Sequence, residues 1–206
     1  MDPVADLLIP YHRALGDADA HVAMVDRDRW AAPTPCERWD VAALVTHMIG
    51  QNHGFARAVA SGDAPASAYL VAMPGVDDAP ARWRRSAAQL RQAFADAKGG
   101  SLVRLVEIDP RAPVTVERAL RMQLLDTVVH TWDLASALGV YYRPDPELVE
   151  IVAGIADRVP SGAARTKPGA AFAPTRSPDT DDLWLTALAL LGRDARAPLP
   201  ARVETP

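Results

Sequence analysis

The sequence predicts an all-α fold, a four-helix bundle with short additional helices. Three observations carry that expectation. Residues 120–139 are apolar around most of a helical circumference. Three earlier stretches repeat apolar residues at steps of three and four. No internal repeat and no break in composition splits the chain into separate folding units.

Composition narrows the class. With 206 residues the chain is long enough for one domain with a full core, and 49% hydrophobic with 23% charged residues is ordinary for a soluble globular protein. We expect a bundle over residues 1–194 and a tail over 195–206. The net charge of -4, without a basic block, argues against nucleic acid as a partner. No apolar run reaches spanning length, so no membrane partner is expected. The acidic start lacks the basic region of a signal peptide, and the single cysteine fits a reducing compartment; a cytoplasmic protein is expected.

The first helix is expected from about residue 3 to residue 26, on Val4, Leu7, Leu8, Tyr11, Leu15, Val22 and Val25. Pro10 should kink it or shift its effective start. His12 and His21 are nine apart, face nearly opposite ways, and read as surface or shoulder histidines. A stiff loop follows, held by Pro33 and Pro35, with Trp30 and Trp39 pinning it to the bundle. Cys36 within it could be a redox thiol or a metal ligand, but reads best as a small buried hydrophobe.

Asp40 is the expected N-cap of a second helix, from Val41 to about Ala60. Its inner stripe is Val41, Leu44, Val45, Met48, Phe55, Ala56 and Val59. A second flank carries Ala43, His47, Gly50, Gly54 and Ala58. Glycine inside a helix costs about 1 kcal/mol relative to alanine. Two glycines beside His47 therefore point to close helix approach, or to room for something bound. His53 points away from His47.

Residues 61–76 read as a loop. Asp77 or Asp78 opens a third helix to about Ala97, with Trp83, Ala87, Leu90 and Phe94 inward and Arg82, Arg84, Arg85 and Arg91 outward. A short extended piece is expected from Leu102 to Ile108. The fourth and central helix runs from about Val114 to Gly139, which serves as its stop. Pro146 begins a helix to about Val159. Residues 160–179 read as loop, able to cover a site. A last short helix spans Leu183 to Leu191, with Gly192 as its stop.

The central helix holds the chemistry. Gln123, Asp126, His130 and Asp133 fall in one wedge about 80° wide at helical pitch. Asp126 and His130 are four apart and stand one turn above each other. A polar stripe on a mostly buried helix needs partners, water or a metal. With His47 from a facing helix, Asp126 and His130 make a two-histidine, one-carboxylate set. Three protein ligands leave positions open for water or substrate. Asp133 could orient a ligand or a bound water, or pair with an arginine. A hydrogen-bonded Asp–His pair locking the core remains the plainer alternative.

Three segments carry a resemblance. Pro33-Thr-Pro-Cys-Glu-Arg-Trp-Asp-Val-Ala-Ala-Leu-Val-Thr-His47 resembles the first signature of the mycothiol-dependent maleylpyruvate isomerase-like branch of the DinB superfamily. Asp126-Thr-Val-Val-His-Thr-Trp-Asp-Leu-Ala-Ser-Ala-Leu-Gly139 resembles the second, and Leu190-Leu-Gly-Arg-Asp194 is similar to the closing motif. The resemblance implies a DinB-like bundle with a divalent metal on His47, Asp126 and His130. The isomerase proper has glutamate where this chain has Asp126, and a further C-terminal domain for which these 206 residues leave no length.

The functional expectation is a divalent-metal-dependent enzyme, with zinc first and nickel, iron or manganese as alternatives. By resemblance alone, it would use mycothiol or a similar low-molecular-weight thiol for transfer to, or isomerisation of, a small electrophile. The alternatives are a metal-binding bundle without turnover and a metal-dependent hydrolase. A homodimer is compatible with the sequence.

Overall fold

The structure is a computed structural model that describes residues 3–36, 39–167, 170–177 and 180–194. Motif positions 37 and 38 and the 195–206 tail lie outside the described residues. Six α-helices dominate: α1 (Pro3–Ala23), α2 (Val41–Ser61), α3 (Ala79–Asp96), α4 (Val116–Leu138), α5 (Pro146–Ala156) and α6 (Leu183–Leu190). The fold is the expected all-α, DinB-like four-helix bundle: α2 packs on α3 and α4, α1 packs on α4 and α3, and α5 joins α6 to the flank of α4. Its core is one cluster of buried residues running from Val4 to Leu191. Among the described residues no helix is long and apolar enough to cross a membrane.

Capping chemistry places the helix starts. Asp40 accepts from the Ala43 amide to open α2, Thr115 accepts from Arg118 to open α4, Asp145 from Leu148 to open α5, and Asp182 from Leu185 to open α6. The stop of α4 is Gly139, at φ 71°, where only a residue without a Cβ sits free of strain. The inner stripes of α2 and α3 are buried as expected.

Four expectations need correction. The first helix is continuous across Pro10, which lies buried inside it, so its start is not shifted. His21 is buried rather than on the surface: its Nδ1 lies 2.7 Å from the Asp17 carbonyl and its ring meets Tyr142 edge-on. The extended piece is only β1 (Leu102–Val103), paired antiparallel with β2 (Val114–Thr115), at the point where α4 was expected to have begun already. Thr115 is both strand end and helix cap, which moves the helix start past the expected Val114.

The fourth correction concerns the glycine lane of α2. The neighbour that requires it is a loop residue, Tyr69, not another helix and not a ligand. A Cβ on Gly50 would lie 2.2 Å from the Tyr69 carbonyl oxygen, and one on Gly54 would lie 2.1 Å from the Tyr69 ring. The 61–76 loop therefore folds directly onto α2. The stretches 160–167 and 170–177 are held in their turn by Arg165. That buried guanidinium donates to the carbonyls of Val159, Pro160, Ala173 and Leu190.

Candidate metal centre

Local sequence brings two loop residues to the head of α2. Pro33 and Asp40 form an antiparallel bridge. Thr34 Oγ1 donates to the carbonyls of Cys36 and Trp39, and the Trp39 amide donates to the Cys36 carbonyl. This tight turn sets Trp39 beside His47 of α2 and Cys36 beside Asp133 of α4. Trp39 lies against His47 at 4.4 Å between ring centroids and is 5.7 Å from His130. The two imidazoles meet edge-to-face at 5.0 Å.

His47, Asp126 and His130 converge. One donor atom from each lies within 4.8 Å of the other two. His130 Nε2 stands 3.3 Å from Asp126 Oδ1, and His47 Nε2 stands 3.7 Å from the same oxygen. Both separations are long for hydrogen bonds. Two nitrogen or oxygen donors on one tetrahedral zinc, each about 2.0–2.1 Å from it, stand roughly 3.3–3.4 Å apart. The donor set and the 3.3 Å separation of His130 and Asp126 thus suit a small divalent cation, with His47 a few tenths of an ångström wider. The two positions four apart on α4 and the one on α2 are the residues that the sequence singled out.

The other nitrogen of His130 is engaged differently. His130 Nδ1 and Asp133 Oδ2 are 2.9 Å apart. Asp133 is fully buried, and its two oxygens also accept from Arg193: Nη2 at 2.8 Å to Oδ2 and Nε at 3.3 Å to Oδ1. The Cys36 thiol donates to Asp133 Oδ2 at 3.1 Å, and Arg193 Nη2 lies 3.5 Å from the sulfur. So Asp133 forms the arginine pair foreseen for it and also contacts the His130 imidazole. Cys36 is half-buried and polar in its contacts, not a small buried hydrophobe: the turn that holds it aims the sulfur at a carboxylate instead of at the core.

Charge sets the protonation of this group. Burial pushes the Asp133 carboxyl up, but the Arg193 charge and the bonds from His130 and Arg193 outweigh it and hold the group down to about 2. Burial likewise opposes ionisation of Asp126, and His130 and His47 overcome it, so Asp126 stays a carboxylate well below its usual range. Burial works against a charged His130, yet Asp126 first and then Asp133 raise its pKa well above the ordinary imidazole value. A cation bound at Nε2 would meet the same Asp126 carboxylate, and would have to displace the proton that this carboxylate favours there.

A second trio, Cys36, His130 and Asp133, also has donor atoms close enough to share an ion. Arg193 already supplies the positive charge there, 2.8 Å from Asp133. A metal on that side would face a buried guanidinium. The open side, around His130 Nε2, has no such competitor among the described residues.

Gln123, fourth member of the predicted wedge, is not part of the centre. It is buried and donates to Asn52 Oδ1 at 3.1 Å, and Asn52 in turn donates to Ser86. His53 lines an open groove between α2 and α3, away from His47. The residues that sequence reasoning missed are Trp39 and Arg193 as parts of the site. Arg193 was visible only as a letter in the closing motif.

Fold and site together define a class: an all-α bundle with an interior cluster of imidazole and carboxylate donors. Residues 11–135 match the family model described as the mycothiol maleylpyruvate isomerase N-terminal domain, and the chain belongs to that family. An uncharacterized protein of Mycobacterium tuberculosis is 33% identical over 202 residues, covering 95% of this chain and all of that relative. A second uncharacterized protein of the same organism is 30% identical over 158 residues, 69% of this chain and 60% of its own length. A crystal structure of the mycothiol-dependent maleylpyruvate isomerase, in a histidine-to-alanine mutant form, shares the fold. It superposes with a TM-score of 0.57 at 14% identity, over 74% of this chain and 69% of that one.

Proposed function

We propose that this protein is a divalent-metal-dependent enzyme that uses a low-molecular-weight thiol of the mycothiol type on a small electrophilic substrate, by transfer or isomerisation. The observation that carries the metal is the convergence of His47, Asp126 and His130 at 3.3 and 3.7 Å spacing without a good hydrogen bond among them. The thiol rests on family membership.

His47 and His130 would offer Nε2 lone pairs and Asp126 a carboxylate oxygen. Zinc suits this donor set best, with nickel, iron or manganese also possible chemically. When bound, such a cation supplies Lewis acidity that stabilises a thiolate, the nucleophilic form of a thiol. The chain's own residues do the positioning. Asp133 would accept a hydrogen bond from the Nδ1–H of His130 and so leave the Nε2 lone pair for ligation. Trp39 packs against His47 at a tilted angle and limits its rotation. Asp126, with 29% of its side chain exposed, lies where a small molecule can reach the donor cluster.

The test is elemental analysis of the purified protein beside Asp126→Ala. Wild type should carry stoichiometric metal; the variant should lose it while its far-ultraviolet circular dichroism stays helical. A turnover assay with a generic electrophile then reads thiol dependence. Equal activity without added thiol would count against the thiol and in favour of metal-dependent hydrolysis.

A further inference from the structure

The geometry points to Arg193 as a positioning residue for the metal centre: it clamps Asp133, and through Asp133 it fixes His130 for ligation. The inference rests on the metal reading above and adds to it a residue from the far end of the chain. Arg193 lies 60 positions after Asp133 and outside the residues 11–135 that match the family model.

The argument starts from the carboxylate. Asp133 is wholly buried, so its charge needs a partner and its lone pairs need donors. Arg193 provides two of its N–H groups, one to each carboxylate oxygen, at 2.8 and 3.3 Å. A two-pronged guanidinium contact sets the plane of the carboxylate as well as its place. Arg193 is itself held: its Nη1 donates to the Leu191 carbonyl at 2.9 Å, just past the end of α6. The chain of contacts therefore runs from the α6 terminus, through Arg193 and Asp133, to His130 Nδ1. Rotation of the imidazole about its bonds would break the 2.9 Å contact to Asp133. Partners of this kind on a ligating histidine typically change metal affinity by about 10–100-fold when removed.

The test uses full-length protein stripped with chelator and titrated with cobalt(II) or zinc(II) against a competing chelator. Arg193→Met keeps much of the side-chain volume without charge or donors. It should bind metal about 10–100-fold more weakly than wild type and shift the visible spectrum of the cobalt form. Arg193→Lys, with charge but no fork, should fall between. If Arg193 acts through Asp133, Arg193→Met made on top of Asp133→Asn should add little to the loss caused by Asp133→Asn alone. Wild-type affinity and an unchanged cobalt spectrum in both single Arg193 variants would overturn the inference, even if their thermal stability fell. Additive losses in the double variant would overturn it as well. Wild type that binds neither ion would instead sink the metal reading, and this inference with it. If Arg193→Met does not fold, Arg193→Lys carries the affinity measurement and the cycle.

Discussion

His130 has two nitrogens and two unlike neighbourhoods. At Nδ1 the polar groups are closed on one another: Asp133, Arg193 and Cys36 sit within 2.8–3.5 Å contacts, and the carboxylate is fully buried. At Nε2 the groups converge but do not close. Asp126 lies 3.3 Å away, His47 stands 3.7 Å from the same carboxylate oxygen, and Asp126 keeps 29% of its side-chain exposure. The two sides carry similar residue types, so composition does not separate them. What separates them is a guanidinium. Where Arg193 supplies the positive charge, the buried acid and the half-buried thiol are drawn together; where no cation is supplied by the described residues, the same kinds of donor are left facing one another.

The contrast can be broken at several points, and the expected losses of stability in metal-free protein rank the two sides. Asp133→Ala strips a buried charge pair of one partner and should cost about 3–5 kcal/mol in urea unfolding; a loss under 1 kcal/mol would mean that the closed side is not closed. Gly54→Ala drives a methyl into the Tyr69 ring and should cost about 1–3 kcal/mol, while metal stoichiometry by elemental analysis stays at the wild-type value. Metal loss in that variant would restore the idea that the glycine lane serves a ligand. Cys36→Ala removes one of several donors to Asp133 and should cost about 0.5–1.5 kcal/mol, read by the same unfolding curves. Asp126→Ala should change metal-free stability by less than about 1 kcal/mol, because its contacts are long and partly solvated. The ranking would invert if Asp126, rather than Asp133, were the structural acid.

Much of the site was legible because a helix repeats. Asp126, His130 and Asp133 fall on one face at 3.6-residue pitch whatever surrounds them, and His47 stood out by the small residues that share its flank. Periodicity also misled. Gln123 shares that wedge, yet the facing α2 helix offers it Asn52, and it turns into the core instead. Cys36 and Arg193 reach the site from a proline-held turn and from the segment after α6. Tertiary convergence over 97 and 60 residues leaves no spacing to read. The same holds for Tyr69: two glycines announced a close neighbour, but a loop contact cannot be told from a helix contact by sequence. The second strand, 114–115, and its pairing with 102–103 escaped because two residues per strand are too few to show alternation.

The burial of Asp133 also bears on how this lineage can vary. An acid with no access to water and four donors around it loses stability both when an uncharged residue stands opposite Arg193 and when that arginine alone is removed. Across homologues, positions 133 and 193 are therefore expected to be exchanged together or left untouched, while position 126, with 29% of its side chain exposed, is free to drift between the shorter and the longer acid.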